Sequence, residues 1–529
     1  MALAKSLAVS LIGLNATAIE VEADISSQLP NFVLVGLPDA SLSESTARVR
    51  AAVTNSGLPW PPRRITVNLS PASVPKQGSA FDLSIAMAVL AAAGAAVAPS
   101  VERCVHIGEL ALDGSVKPVH GVLPMVRAAR DLGVATVLVP RGCLAEAKLI
   151  AGIEVISVSH LREAVAWHAG KLDWPQGDEN SVQEVTTQPQ QWREPDIADV
   201  IGQDLAVRGL LAAAAGGHHM LMVGSPGAGK TMLAERLPGL LPNLSPEAAL
   251  ESAAIASIAG RSVFDEAGFA LNLRPQIEKP HHSASMSAIV GGGLRNPRPG
   301  AISLAHNGVL FLDEAAEFQT PVLDALRQPL ESGEIRLHRS AGAAVFPARF
   351  QLVMAANPCP CGKALGVKGC ACTAVARARY NQRLSGPLLD RIDIRLVIHP
   401  VSLLSQTIIR QKQLELPDGP QTLNSGVARA MVANARAAAA ERLAATPWRL
   451  NSQVESSYLK DQLGLGAAIT KPLDAQLLRG RLSMRGYDRC LRLAWSLADL
   501  AGRTSPNLDD INSALELRGA DNPLEVSNG

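Results

Sequence analysis

The stretch Gly224-Ser-Pro-Gly-Ala-Gly-Lys-Thr231 decides the fold of this 529-residue chain. It follows an apolar run at residues 219–223 and precedes the helical pattern MLAERLPGLL, so it lies between a strand and a helix. Glycines at this spacing let backbone N–H groups point at phosphate oxygens. The pattern predicts a P-loop for ATP, with Lys230 on the β- and γ-phosphates and Thr231 on Mg²⁺. Its members are Gly224, Ser225, Pro226, Gly227, Ala228, Gly229, Lys230 and Thr231.

A second apolar run, residues 309–312, leads directly into two carboxylates, Asp313 and Glu314. A buried strand that delivers acids beside a P-loop is typical of ATP hydrolases. We predict that Asp313 helps to hold Mg²⁺ and that Glu314 is the base that polarises the attacking water. A surface Asp-Glu pair without chemistry is the alternative.

Two further polar side chains lie where such an enzyme needs them. Asn357 ends the strand-like run at residues 350–355 and could orient the lytic water, although an Asn before a proline is also a common turn residue. Arg391 follows an apolar turn in SGPLLDRIDI, and we predict an arginine finger that reaches a neighbour's γ-phosphate. A structural salt bridge with Asp390 or Asp393 is the alternative.

Composition limits the classes of protein that fit. A mass of 55.4 kDa, with 47% hydrophobic and 18% charged residues, predicts several globular domains and excludes a mostly disordered chain. The formal net charge is only +1, so no global basic field holds nucleic acid. No apolar run reaches a membrane-spanning length, so we expect no membrane. The N-terminal stretch MALAKSLAVSLIGLNATA resembles a signal peptide, but a requirement for ATP favours a cytoplasmic protein.

Changes in periodicity divide the chain into four parts. Residues 1–174 alternate strand and helix patterns and predict an α/β or α+β domain. Residues 175–195, rich in Gln, Glu, Thr and Pro, predict a linker. Residues 196–400 predict an α/β core with a parallel sheet, and the Ala/Leu/Arg-rich residues 401–529 predict a helical lid.

Four of the seven cysteines lie close together in the sequence, at Cys359, Cys361, Cys370 and Cys372. Four thiolates can enclose Zn²⁺ and stiffen a loop that is too small for a core of its own. The spacing is C-x-C and not the commoner C-x-x-C, so four reduced thiols or a regulatory disulfide remain alternatives. The other three cysteines lie singly in apolar stretches, which predicts core positions.

The P-loop, Asp313-Glu314, Asn357 and Arg391, in this order, resemble an AAA+ ATPase, and Val200-Ile-Gly-Gln203 is similar to the adenine-side box of such enzymes, with Val200 and Ile201 beside the base. The stretches HHSAS (281–285), NPRPG (296–300), LRQPLE (326–331) and NPCPCG (357–362) are similar to the magnesium-chelatase-like ComM family over nearly the whole chain. The resemblance implies hexameric rings, ATP with Mg²⁺, and branch migration of DNA during natural transformation.

Residues 334–349 alternate like a β-hairpin, in the position where relatives carry a pre-sensor hairpin that faces the pore of the ring. Arg336, His338 and Arg339 are candidate contacts to DNA phosphates, and salt bridges on a solvated hairpin are the alternative. A Ser/Gly-rich insertion at residues 281–293 is a second candidate pore loop, and we interpret its adjacent histidines as structural.

The C-terminal helices are expected to complete the ATP site. Relatives place a sensor arginine near Ser483-Met-Arg-Gly486, and we predict Arg485 for this role. Arg489, one helical turn further on, is the rival candidate.

The stretch VPKQGSAFDL (74–83) and the run IGELALDGSVKPVHG (107–121) resemble the proteolytic domain of Lon, which uses a Ser–Lys dyad. The alignment puts Ala80 at the serine and Met125 at the lysine, and neither side chain can attack a carbonyl or accept a proton. Ser79 and Lys117 lie elsewhere in the motif. We therefore predict a Lon-like domain without the peptidase activity.

These observations together favour a ring-forming DNA motor of the helicase or branch-migration type. Aromatic residues make up only 3%, so we expect sequence-independent contacts with the backbone of single-stranded or branched DNA. The alternative is a magnesium-chelatase-like or chaperone-like remodelling ATPase. An ATP-dependent protease is disfavoured by Ala80 and Met125.

Overall fold

The computed structural model describes residues 2–36, 42, 44–76, 78–171, 195–265, 268, 270–293, 297–339, 342–363, 370–384, 386–401 and 423–519. The predicted linker lies outside these ranges, except for residue 195. Three other predicted features also lie partly outside them: the start of the lid after residue 401, the hairpin turn at residues 340–341, and residue 296 of the NPRPG stretch.

The N-terminal part is built on one seven-stranded sheet with helices packed against it. Its strands are β1 (Ala2–Ile12), β2 (Asn15–Ser26), β3 (Asn31–Val35), β4 (Arg64–Ser70), β5 (Cys104–His106), β8 (Thr136–Pro140) and β9 (Glu154–Val158), and a separate antiparallel pair is β6 (Glu109–Leu110) and β7 (Val116–Lys117). The strand order is β3-β4-β2-β1-β5-β8-β9. The helices are α1 (Ser45–Asn55), α2 (Asp82–Ala92), α3 (Ala98–Val101), α4 (Val122–Asp131), α5 (Leu144–Ala147) and α6 (Leu161–His168).

The stretch that resembles a signal peptide forms β1 and the start of β2. The two strands pair antiparallel along their whole length, from Ala2 opposite Ile25 to Ile12 opposite Asn15. Ala4 and Ala8 are buried, while Lys5 binds the carboxylates of Glu20 and Glu22 on the neighbouring strand. The alternation of small buried residues with polar ones gives this segment the two-residue period of a strand.

The second sheet lies further along the chain and is entirely parallel. Its order is β11-β14-β17-β10-β18. These strands are β10 (Met220–Gly224), β11 (Ile277–Glu278), β14 (Val309–Leu312), β17 (Gln351–Ala356) and β18 (Ile394–Ile398). Strands β10, β14 and β17 are wholly buried, as expected for a parallel sheet that is covered on both faces. The predicted parallel core is confirmed.

Helices and two small antiparallel pairs surround this sheet. The pairs are β12 (Gly291–Gly292) with β13 (Arg298–Pro299), and β15 (Glu334–Arg339) with β16 (Gly342–Pro347), which is the predicted hairpin. The helices are α7 (Asp204–Gly216), α8 (Lys230–Leu240), α9 (Pro246–Ala259), α10 (Met286–Val290), α11 (Ala301–Leu304), α12 (Thr320–Ala325), α13 (Arg327–Ser332), α14 (Ala374–Asn381) and α15 (Gly386–Leu389).

Among the described residues after position 422, helices form the regular structure together with a short 3₁₀ turn. They are α16 (Ser425–Arg442), α17 (Ser456–Asp461), α18 (Ala467–Leu478), α19 (Met484–Leu500) and α20 (Leu508–Arg518). Helix α19 begins at an N-cap serine, Ser483, which accepts from the N–H of Gly486. Its buried face, including Cys490 and Leu493, belongs to the same hydrophobic core as strand β10. The C-terminal helices therefore share the core of the second sheet.

The two sheets are joined through side chains at two places. Ala253, Ala254 and Val263, from α9 and the loop after it, pack into the core that lies under α4. The turn between β1 and β2 packs against the hairpin, where a Cβ on Gly13 would lie 3.1 Å from the Cβ of Ala344. Among the described residues, none of the helices combines the length and the apolar character needed to cross a bilayer.

Candidate active site

The P-loop connects β10 to α8 at the carboxyl end of the second sheet. Gly227 and Gly229 have φ values of 77° and 94°, which L-amino acids with side chains rarely adopt. Gly229 is the N-cap of α8, so the free N–H groups of that helix face the loop. A loop of this shape at a helix N-terminus is suited to bind the phosphates of a nucleotide.

The acidic pair lies next to the P-loop hydroxyl. The Thr231 Oγ1 donates to Asp313 Oδ2 at 2.8 Å, which places both groups where they could share one Mg²⁺ ion. Glu314 follows in the turn after β14 with a left-handed φ of 50°, a conformation that is uncommon for residues other than glycine and is concentrated at functional sites. The Glu314 Oε2 lies 3.2 Å from the Nδ1 of His282.

Lys230 links the P-loop to the predicted sensor residue. Its Nζ donates to the carbonyls of Gly224 (2.7 Å) and Ser225 (3.0 Å) and to the Oδ1 of Asn357 (3.2 Å). Burial lowers the pKa of Lys230, while the charges of Asp313 and Glu314 oppose that shift. Strand β17, which neighbours β10, delivers Asn357 to this position.

These side chains surround one open pocket of about 380 Å³. The residues that line it are Pro226, Gly227, Gly229, Lys230, Thr231, Met232, Asp313, Glu314, Ala356 and Asn357. Backbone donors, an ammonium group, a hydroxyl and two carboxylates thus converge at one place. This set fits a triphosphate with Mg²⁺ and a water attacking beside Glu314.

The segment that resembles an adenine-side box lies against the same loop. The Nε2 of Gln203 donates to the His399 carbonyl at 2.6 Å and lies 3.5 Å from the Ala228 carbonyl. Val200 packs against the core of the second sheet. The contacts of Val200 and Ile201 with a base stay a prediction.

Arg391 does not line the pocket of its own chain. Its guanidinium donates to Glu331 Oε1 and to the Pro387 carbonyl, the latter at 2.5 Å. The predicted alternative partners are taken by other arginines, because Asp390 lies beside Arg485 and Asp393 beside Arg489. The role of Arg391 as a finger toward a neighbouring subunit stays a prediction.

The two candidate sensor arginines have opposite surroundings. Arg485 is 76% exposed, and its Nη1 lies 3.6 Å from Asp390 Oδ2. Arg489 is 17% exposed and donates at 2.5 Å to Asp393, which is 2% exposed. Only Arg485 has a guanidinium that is open to solvent, whereas Arg489 is held in a buried ion pair.

The four predicted metal ligands form one cluster. Their sulfur atoms all lie within 4.8 Å of one another. A backbone N–H of Lys363 lowers the pKa of Cys361 to about 6, and burial raises that of Cys359 to about 12. Cys104, Cys143 and Cys490 are buried singly, as predicted.

The hairpin lies between the acidic strand and the sensor strand in the sequence. Ile335, Leu337, Ala344 and Phe346 fix its base in the core of the second sheet. The Arg336 side chain is 58% exposed and binds Glu334 Oε1 at 2.5 Å, so the salt bridge that was the alternative is formed. The side chains of His338 and Arg339 lie outside the described residues, and their contacts with DNA stay a prediction.

In the N-terminal part, the positions aligned with the Lon dyad hold Ala80 and the buried Met125. The nearby Ser79 donates to Glu109 Oε2, and Lys117 is an exposed residue of β7. The buried Lys76 donates to the Pro71 carbonyl. None of these described contacts joins a serine hydroxyl to a lysine amine.

Sequence reasoning missed two partners in and around the site. His282 was expected to be structural and not a metal ligand, and its contact with Glu314 was not predicted. Glu331 was not singled out, although it binds Arg391. These pairs join segments that are far apart in the sequence, so no local pattern indicates them.

A five-stranded parallel sheet that carries a P-loop, an acidic pair and a polar sensor on three adjacent strands defines a P-loop ATPase of the AAA+ class. Three family models match the chain: Subunit ChlI of Mg-chelatase at residues 21–142, Magnesium chelatase, subunit ChlI, at residues 196–405, and Magnesium chelatase, subunit ChlI C-terminal, at residues 422–518.

Comparison with whole proteins gives the narrower assignment. The chain is 48% identical to an uncharacterized protein of Mycobacterium tuberculosis over 518 residues, which cover 98% of this chain and 99% of the relative. It is 39% identical to the competence protein ComM of Haemophilus influenzae, over 93% of this chain and 92% of the relative. It is 29% identical to Lon protease 2 of Bacillus subtilis over 148 residues, 27% of each chain. The chain belongs to the ComM and magnesium-chelatase-like family of AAA+ ATPases.

Proposed function

We propose that this protein is an ATP-driven, ring-forming motor that moves DNA strands, of the helicase or branch-migration type. ATP with Mg²⁺ would occupy the pocket at the P-loop, and a Zn²⁺ ion would occupy the four-cysteine cluster. The ring would be a homo-oligomer, a hexamer by family resemblance, acting in the cytoplasm on single-stranded and branched DNA during recombination of incoming DNA.

The observation that carries the proposal is the position of the hairpin β15–β16. The chain leaves the acidic end of β14, passes through α12 and α13, forms the hairpin, and returns in β17 to Asn357. Because Ile335 and Phe346 anchor the hairpin in the core beneath these strands, a shift at the γ-phosphate would be transmitted to it. A hairpin that is connected to the ATP site through both of its ends suits a motor that pulls on a DNA strand.

Two other observations support parts of the proposal. One relative carries the name competence protein, which connects this sequence with uptake of DNA. Arg391 does not line the nucleotide pocket of its own chain, and its ion pair with the 66% exposed Glu331 would have to open for it to reach a neighbour. A cation that does not serve its own pocket fits a finger that completes the pocket of a neighbour.

The second candidate function is a remodelling ATPase that acts on a protein or metal-insertion partner. The match to the magnesium chelatase models, which together cover most of the chain, favours it. The two functions differ in what stimulates hydrolysis and not in the ATP site.

The experiment that separates them is ATP turnover measured without DNA, with single strands and with four-way junctions, alongside junction resolution. A DNA motor is stimulated by DNA and resolves junctions. The Glu314→Gln variant is expected to bind ATP and to lose turnover by about 100-fold or more. Glu317→Gln is the matched control, because Glu317 lies three residues later and pairs with Arg383 outside the pocket.

If DNA does not change the rate of ATP turnover and the four-way junctions stay intact, the chain belongs with the remodelling ATPases. An equal loss in both variants would show that the effect is not specific to the proposed base. A variant Arg391→Ala that keeps full turnover as an oligomer would exclude the shared pocket.

A further inference from the structure

The arrangement of the four sulfur atoms fits a single metal ion. The Sγ–Sγ distances are 3.3 Å for Cys359 and Cys361, 3.9 Å for Cys359 and Cys370, and 3.6 Å for Cys361 and Cys370. Four thiolates at about 2.3 Å from one zinc ion in a tetrahedron lie about 3.8 Å from each other. A disulfide would instead bring just two sulfurs to about 2.0 Å. The three distances among Cys359, Cys361 and Cys370, from 3.3 to 3.9 Å, lie around the tetrahedral value, and Cys372 lies within 4.8 Å of all three.

The described residues of the segment that carries these cysteines have little regular structure and bury few side chains. Between the end of β17 at Ala356 and the start of α14 at Ala374, the described residues form neither strand nor helix, and Cys359 is the one side chain there that is fully buried. A segment without an apolar core needs another cross-link to keep one shape. A metal ion held by both ends of the segment would provide it.

This segment lies directly against the nucleotide pocket. Gly362 has a φ of 76°, and a Cβ built on it would lie 2.8 Å from the Cγ and Cδ of Pro226 in the P-loop. At its other end, Cys359 follows two residues after Asn357, whose Oδ1 lies 3.2 Å from Lys230 Nζ. The cysteine segment therefore touches the P-loop and is continuous with the sensor residue.

We propose that Cys359, Cys361, Cys370 and Cys372 bind Zn²⁺, and that this ion braces the ATP pocket by fixing Pro226 and Asn357. The ion has a positioning role and does not touch the reacting phosphates. The inference rests on the ATP site of the proposed function and is independent of DNA movement.

The first test measures metal content and ATP affinity in the full-length protein. Elemental analysis of the purified protein is expected to find zinc at one equivalent per chain, and the variants Cys361→Ser and Cys370→Ser are expected to lose it. The KM for ATP, measured without DNA, should rise by about tenfold in both, which is the usual size of an effect transmitted through a supporting contact. Cys104→Ala, in the N-terminal sheet, is the matched control and should keep zinc and KM.

The second test separates metal binding from bracing. Gly362→Ala keeps all four thiols but drives a methyl group into Pro226. We expect zinc to stay bound while KM for ATP rises, a result that loss of folding would not give. This variant keeps the proposal testable if the cysteine variants fail to fold.

Three results would overturn the proposal. The first is purified protein that contains no zinc and has four thiols open to titration, and the second is iron in place of zinc. The third is loss of zinc with an unchanged KM. If DNA did not stimulate ATP turnover, the DNA-motor proposal would be refuted, whereas the zinc content and the KM measured without DNA would still test the zinc proposal. The two proposals can therefore be refuted independently.

Discussion

Replacing Arg489 by alanine is expected to destabilise the ATPase core, whereas replacing Arg485 is expected to affect catalysis alone. Both arginines lie on α19, one turn apart. The Arg489 guanidinium donates to Asp393, a 2% exposed carboxylate at the start of β18. Burial by itself would raise the pKa of Asp393, but the Arg489 charge and the neighbouring His218 outweigh it and hold that pKa well below its usual range.

The size of the effect follows from the burial of this pair. Arg489→Ala leaves a buried carboxylate with the weaker partners His218, 3.4 Å away, and the His219 N–H, 3.2 Å away. Breaking a buried ion pair from one side costs about 3–5 kcal/mol. For a domain of about 200 residues, a decrease of this size in the free energy of unfolding lowers the melting temperature by about 10 °C. The exposed Arg485 pair with Asp390 contributes at most about 1 kcal/mol.

The assay combines thermal unfolding with ATP turnover on both variants. Arg485→Ala should melt within about 2 °C of wild type and lose turnover by about 100-fold if its guanidinium stabilises the transferring phosphoryl group. Arg489→Ala should melt about 10 °C lower. The reasoning is refuted if Arg489→Ala melts like wild type, or if Arg485→Ala keeps full turnover.

Three further predictions concern the packing of the two sheets. Gly224→Ala should destabilise the core by about 1–3 kcal/mol in denaturant unfolding, because its Cβ would lie 2.4 Å from the Ile398 carbonyl oxygen. Gly239→Ala, which has nothing within 4 Å, should instead stabilise α8 by about 0.5–1 kcal/mol, and equal effects would contradict this. Burial lowers the pKa of His106 well below its ordinary value and that of His168 to about 4. Between about pH 6.5 and pH 4 these two histidines therefore take up protons in the unfolded chain and not in the folded one, which favours unfolding. The denaturant concentration at which the N-terminal sheet is half unfolded should therefore be lower at about pH 5 than at about pH 7. An equal midpoint concentration at the two pH values would refute this. Gly13→Val should place a side chain against the hairpin and reduce DNA-stimulated turnover more than DNA-free turnover, and equal loss in both would contradict the coupling.

The sequence predicts those parts of the site that are local in the chain. The P-loop lies within eight consecutive residues, and the spacing of its glycines indicates the backbone conformation that phosphate binding requires. Asp313 and Asn357 are predicted because each ends a buried run, and the carboxyl ends of parallel strands meet at one edge of the sheet. The N-terminal stretch shows the limit of this reasoning, because one apolar run with a lysine fits both a signal peptide and the strand β1 that it forms.

The partners of the charged side chains depend on contacts between segments that are distant in the sequence, and Arg391 forms a salt bridge with a different partner from the two that were expected. Proximity in sequence pointed to Asp390 and Asp393, yet the guanidinium binds Glu331, 60 residues away. Asp393 is buried beside β10, where Arg489 from α19 reaches it, and this pair ties the C-terminal helices to the sheet. Because Arg489 on α19 binds Asp393, a change at the γ-phosphate that moves α19 would also move the start of β18. Arg391, two residues before Asp393, would move with it, so the ion pair between Asp393 and Arg489 would couple α19 to the cation proposed for a neighbour's pocket.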